Sequence, residues 1–428
     1  MKYKTTSAVT ALLVLLSFSP GWAGHNPPVL GVIDGVSGTE FQLSARTGSI
    51  SSPEGNSIHT WSYADTTDAS LPFQYPGPTL IVGQGQTVTV TLTNELPVNN
   101  SIVFPGQSGV TATADPLDPI GTEAGILTLE ALPGGKVIYT FTADRPGTYL
   151  YHSGTRTDLQ IEMGLVGVII VRPAGFDLAT ARWAYDHPAT AYDHEYLFLQ
   201  TEMDLVIHTQ VETGGYDQVD TRTRFPTQWF LNGRSAPDTL LDGFAPWLPS
   251  QPYNCRPMTR PGRRVLVRLV GAGSEMHPFH LHGNHALTIA EDATLLSTDP
   301  IAGPSGPGID LAYEQFTHKT VPGTTADLLW SWTGAGLGWD VYGHAPGDPL
   351  APGEDPEDHG KPFPTLMPEQ HELTFGGSWS GSPFLGLAGE LPPGEGGFNP
   401  HAAFTYMWHT HTEKELVNND VFPGGMMT

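Results

Sequence analysis

Thr87-Val88-Thr89-Val90-Thr91-Leu92-Thr93 alternates polar and apolar side chains with a period of two. Successive residues of an extended strand face opposite sides of a sheet. The segment therefore predicts a half-buried strand with Val88, Val90 and Leu92 turned to a core. Residues 137–141 repeat the pattern, Pro146-Gly147 turns the chain into Thr148-Tyr-Leu-Tyr-His152, and 164–171 is a more continuous apolar run. Nothing in 28–173 holds a helical period over a useful length. The expectation is all-β, with a Greek-key β-sandwich in this part of the chain.

Strand signals return at 195–202, 229–232, 265–270, 277–289, 325–332 and 404–411, which predicts a second sandwich. The high count of turn formers, 50 Gly and 39 Pro in 428 residues, agrees with two such sandwiches. The predicted organisation is a signal peptide over 1–23, a first sandwich over 24–173, a linker over 174–193 and a second sandwich over 194–428. Lys2 and Lys4 ahead of an apolar run at 8–18, then Gly21-Trp22-Ala23, have the form of a cleavable export signal, too short for a membrane span. The expected location is periplasmic or extracellular. Residues 343–364, rich in Pro, Gly, Asp and Glu, read as a surface loop. Its acidic group (Glu354, Asp355, Glu357, Asp358) is expected to be solvated rather than to hold a cation.

Acidic residues outnumber basic ones 44 to 19, a formal charge of −25. That balance argues against nucleic acid or an anionic membrane surface as partner. Cys255 is the only cysteine, so no intramolecular disulfide can form, and its thiol is expected to be a small buried hydrophobe.

Chemistry concentrates in the histidines. His277-Pro278-Phe279-His280-Leu281-His282 places three imidazoles in six residues, and His409 and His411 form a second dense pair. Imidazole is the commonest protein ligand for copper and zinc. His280 and His282 should share one strand face, and Pro278 with its turn should hold His277 apart from them. Metal binding is the expected role.

Four segments, in order along the chain, resemble the copper motifs of the multicopper oxidase family. They are Asn94-Glu-Leu-Pro-Val-Asn-Asn-Ser-Ile-Val-Phe-Pro-Gly106; Gly147-Thr-Tyr-Leu-Tyr-His-Ser-Gly154 with the run at 164–171; the stretch from His277; and Trp408-His-Thr-His-Thr-Glu-Lys-Glu415 with Phe422-Pro-Gly-Gly-Met-Met427. The resemblance implies two cupredoxin-type domains, copper as the cofactor, and a homo-oligomer, a trimer in two-domain relatives, in which histidines of both domains meet at an interface. It also implies a type 1 copper held by two His and one Cys, passing electrons to a three-copper cluster held by eight His.

This chain departs from that pattern. Thr410 stands where the resemblance expects the cysteine and Glu415 where it expects the second type 1 histidine, leaving His277. A neutral hydroxyl cannot replace a soft thiolate. Val103, Pro105 and Gly154 stand at three cluster positions. His152, His280, His282, His409 and His411 survive. By correspondence His152 and His411 would serve one type 3 copper, His282 and His409 the other, and His280 the type 2 copper. Glu413 or Glu415 could add a carboxylate, against the plainer reading of both as surface residues. The expectation is an exported metal-binding protein that has lost the family's electron-accepting site. A metal-free scaffold and a copper oxidoreductase of altered design are the competing readings.

Overall fold

In the computed structural model, the described residues are 31–338, 340–342, 344, 347–361, 378–379 and 404–428. The predicted signal peptide, 1–23, lies outside them, as do 343, 345, 346 and 362–364 of the predicted loop.

Strand formation follows the alternation. The strand Thr87–Asn94 buries Val88, Val90 and Leu92 completely and leaves its threonines partly exposed. It lies between Glu40–Ser51, to which it is parallel, and Lys136–Thr142, to which it is antiparallel, in a five-stranded sheet. A second five-stranded sheet contains Leu80–Gly83, Val166–Arg172, Gly147–Ser153 and Ile102–Val103. The core between them is made of facing alternate residues, among them Leu43, Trp61, Val90, Tyr139, Tyr151 and Ile169.

The continuous apolar run has a different cause from the alternating ones. Every residue of Val166–Arg172 is buried, because its sheet has a core on each side. Ile169 and Val171 face the first core, whereas Val166, Val168 and Ile170 face a second, shared with Leu197, Leu199, Phe230 and Val270. Those partners belong to a seven-stranded sheet that includes His194–Met203, Arg264–Gly271 and Thr325–Ser331. That sheet is covered in turn on its far side by a three-stranded sheet of Thr317–Thr320, His277–Leu281 and Trp408–Thr410, through a core of Phe198, Val267, Phe279, Leu281 and Trp408. Each fully buried aliphatic or aromatic side chain contributes about 1.5–3 kcal/mol by leaving water. Cys255 is buried in this last core, and burial pushes its thiol up to about 12. The longer of the two α-helices among the described residues, Leu205–Glu212, interrupts the β pattern. Asp204 caps it by accepting from the Val206 N–H, a polar start signal of the usual kind.

Charges buried between the middle sheets are paired. Arg172 grips Glu195 with two bonds, at 2.5 and 2.7 Å, and Arg268 reaches the same carboxylate at 2.7 Å. Asp327 completes the group, accepting from Thr148 at 2.6 Å and Tyr185 at 2.5 Å and lying 3.4 Å from Arg268. Two guanidiniums and two carboxylates balance. Burial alone would raise the Glu195 pKa, but the arginines hold it at about 2. Removing one member strands a buried charge, at a cost of about 3–5 kcal/mol. Glu195→Gln is therefore expected to lower stability by about that amount in urea denaturation.

Candidate metal centre

Strand parity distributes the histidines. In His277–Leu281 the residues His277, Phe279 and Leu281 are buried and Pro278 and His280 are not. This parity, not a turn at Pro278, separates His277 from the others: Pro278 lies within the strand, opposite Lys319. His280 and His282 lie on the outer face, with ring centroids 5.4 Å apart.

The neighbouring strand brings the second pair. His409 is the cross-strand partner of His280, and their rings are 5.1 Å apart. His411 lies 5.1 Å from His280 and 5.5 Å from His409. Residues 426–428 run beside Trp408–Thr410, with Trp408 N–H donating to Thr428 O and Thr428 N–H to Trp408 O, each at 2.8 Å. Ligand atoms of His280, His282 and His409 all lie within 4.8 Å of one another. His409 Nδ1–H donates to the Thr410 carbonyl at 2.7 Å, which leaves the lone pair on Nε2. That atom is 3.3 Å from His282 Nδ1. Two imidazole nitrogens bound at about 2.0 Å to one tetrahedral ion would sit about 3.3 Å apart. The donor set therefore fits a single ion. Burial, reinforced by the facing histidines, pulls the His280 pKa down to about 4, and His409 is lowered for the same reasons. Neutral imidazoles are the form that binds metal.

His152 stands elsewhere. It lies in Gly147–Ser153, and no ring contact or hydrogen bond among the described residues joins it to the other four. Its cross-strand partner is Val103, one of the substituted positions. A β-carbon on Gly154 would fall 2.7 Å from Val103 Cγ1 and 3.0 Å from Ser101 Oγ, so Val103 fills space that a side chain at 154 would need.

His277 has both ring nitrogens committed. Nδ1 is 2.9 Å from Glu415 Oε2 and Nε2 is 3.2 Å from Glu202 Oε2. Thr410 Oγ1 donates to the same Glu415 oxygen at 2.6 Å. Glu415 is 1 % exposed, so the reading of it as a surface residue gives way, while Glu413 is exposed. The chain of charges continues inward: Glu202 Oε1 accepts from Arg224 at 2.8 Å, and Arg224 Nε donates to Glu162, which lies beside His208. Backbone amides of Ser274 and Glu275 also serve Glu202. This approach requires glycine at 273, where a β-carbon would lie 1.8 Å from Glu202 Oε2. Glu202, Glu162 and Arg224 carry no motif and were missed from sequence. The available signal was a carboxylate, Glu202, at the end of a strand whose residues are almost all buried.

Burial alone would depress the His277 pKa, but hydrogen bonds to Glu202 and Glu415 outweigh it and raise it to about 9. Glu202, despite burial, is lowered to about 2, with His277 foremost among the causes. A histidine raised above its unfolded value of about 6.5 stabilises fully below that pH and loses the effect as pH rises through about 9. The corresponding stabilisation is roughly 3 kcal/mol. Thermal melting of the metal-free protein should show stability falling from pH 6.5 to 9.5, and His277→Gln should flatten that slope. An unchanged slope would remove the charged histidine from this account.

The multicopper oxidase family model matches residues 63–175. Among curated relatives, Laccase-12 of Oryza sativa subsp. japonica is 28 % identical over 232 residues, covering 51 % of this chain and 34 % of its own length. L-ascorbate oxidase of Cucurbita pepo var. melopepo is 36 % identical over 100 residues, 23 % of this chain and 17 % of its own. Copper resistance protein A of Pseudomonas syringae pv. tomato is 31 % identical over 159 residues, 36 % and 22 % respectively. The chain thus spans about a third or less of these relatives. The solved blue copper oxidase of Nitrosomonas europaea superposes with a TM-score of 0.55 at 18 % identity, over 91 % of this chain and 84 % of that one. The multicopper oxidase mgLAC gives 0.54 at 17 %, with the same coverage. These two likenesses establish a cupredoxin-type fold. Among the described residues no helix is long and apolar enough to cross a membrane.

Proposed function

We propose that this chain, whose residues 63–175 match the multicopper oxidase family model, is an exported metal-binding protein of that family that holds copper at His280, His282, His409 and His411 and lacks a type 1 copper. The observation that carries this reading is the convergence of three imidazole ligand atoms within 4.8 Å. Imidazole donors suit copper in either common oxidation state. When bound, copper would supply one-electron redox chemistry. The chain's own residues would orient it: Thr410 O fixes the His409 tautomer, and Thr317 Oγ1, 2.9 Å from Nδ1, positions His280.

The loss of the type 1 copper is supported by what surrounds His277. Glu415 and Thr410, at two of its expected ligand positions, are hydrogen-bonded to each other, and Glu415 also engages Nδ1. No thiolate is near, and a protonated imidazole has no lone pair to offer. External electrons then have no family route to the cluster, and four-electron reduction of dioxygen is not expected. The same reading includes a first sandwich over 24–173, a linker over 174–193, a second over 194–428, and a homo-oligomer in which His152 of one copy approaches the cluster of another.

Metal analysis of the signal-cleaved protein from copper-supplemented cells tests it. The expected content is about one ion per chain, and less than roughly a tenth of an equivalent would overturn the proposal. His282→Ala and His409→Ala should each lower the content most, and no blue-copper absorption band should appear. Oxygen uptake with a phenol that disappears in His282→Ala would instead favour an oxidoreductase of altered design.

A further inference from the structure

A second group of ligating side chains lies in the segment that follows Thr325–Ser331. Asp340, His344, Glu354 and His359 each offer one donor atom, and the four atoms lie within 4.8 Å of one another. None of the four belongs to the copper motifs. His344 Nδ1 and His359 Nδ1 approach the same oxygen, Glu354 Oε1, at 3.1 and 2.8 Å, and His344 Nδ1 is 3.2 Å from Asp340 Oδ2.

The surrounding main chain holds both carboxylates in place. Asp340 Oδ1 accepts from Tyr342 N–H at 2.8 Å, and Oδ2 from His344 N–H at 3.2 Å and Gly360 N–H at 2.9 Å. Glu354 Oε2 accepts from Ala351 N–H at 2.7 Å. Tyr342 stacks on His344 with centroids 5.4 Å apart and planes 4° from parallel. The carboxylate side chains are only 2 % exposed, against the sequence expectation of a solvated loop for Glu354. Among the described residues neither pairs with a lysine or arginine. Two carboxylates enclosed this closely repel each other, and a divalent cation held among them and the two imidazoles would balance that charge.

We infer that Asp340, His344, Glu354 and His359 form a zinc site, separate from the histidine cluster, that ties Asp340 and His344 to Glu354 and His359. Two imidazoles and two carboxylates match zinc in charge and in tetrahedral number. Calcium and magnesium take oxygen ligands and leave the imidazoles without a role, and cuprous ion prefers softer donors than carboxylate. Four protein ligands leave no open position, so the role is structural. The clip would fix the loop that leads away from the sheet beneath the histidine cluster.

The test uses the full mature chain, stripped with chelator and titrated with zinc alone. His282→Ala/His409→Ala, which disables the other cluster, is expected to retain one equivalent of zinc, and adding His344→Ala/His359→Ala should abolish it. Cobalt in the first variant should give the visible bands of a tetrahedral ion, lost in the second. Glu354→Gln, which keeps hydrogen-bonding capacity and serves if the histidine variant misfolds, should weaken zinc by about tenfold or more. Zinc stoichiometry unaffected by all of these loop substitutions, or no zinc in His282→Ala/His409→Ala, would overturn the site. Neither result bears on copper at the other cluster, so the two readings fail separately.

Discussion

Burial of one sheet on both faces governs this molecule. Val166–Arg172 has no residue facing water, so a core must form on each side, and four sheets stack as a consequence. Any charged group that the chain carries into that stack must find its partner there, because solvation is not available. Arg172, Glu195, Arg268 and Asp327 satisfy the condition at the middle layers. The sharing of one carboxylate between two guanidiniums places residues far apart in sequence in a single electrostatic unit. Their mutual attraction offsets the cost of desolvation.

The same condition explains His277. Its strand position turns it into the interior beside Phe279 and Leu281, where an imidazole must hydrogen-bond through both nitrogens or be left unsatisfied. Glu415 and Glu202 provide for both, and Arg224 and Glu162 extend the alternation of charge. In a relative with a thiolate at the place of Thr410, a metal would take up the Nδ1 lone pair. Here Nδ1 carries a proton that it donates to the Glu415 carboxylate, and the site is closed by ion pairing. One residue of parity away, His280 and His282 escape burial and meet His409 and His411 with ligand atoms still available.

Much of this was legible from residue order. The alternation in Thr87–Asn94, the continuous run at 164–171, and the histidine spacing each report a local property that survives folding: which side of a strand a residue faces, and whether one or both sides are covered. That His282 and His409 should lie together was an expectation carried by the family resemblance rather than by residue order; their nitrogens stand 3.3 Å apart. Glu202 and Glu162 were not legible, since a lone carboxylate in a strand gives no local sign of the partner that neutralises it. Asp340, His344, Glu354 and His359 were hidden for a related reason: their spacing matches no regular element, and only the loop's path brings them together.

Composition and periodicity by themselves determined an all-β chain of stacked sandwiches, the absence of disulfides, and a set of histidines chemically suited to metal, because these depend on side-chain type and on the twofold period of a strand. Tertiary structure alone decided which histidines keep a free lone pair. His277 is held by carboxylates from distant strands and loops, His152 is set on a separate sheet, and antiparallel pairing sets His280 opposite His409 with the rings of His282 and His411 beside them. The physical reason is that ligand availability depends on what occupies the few ångströms around each nitrogen, and those neighbours come from parts of the chain that no local pattern connects.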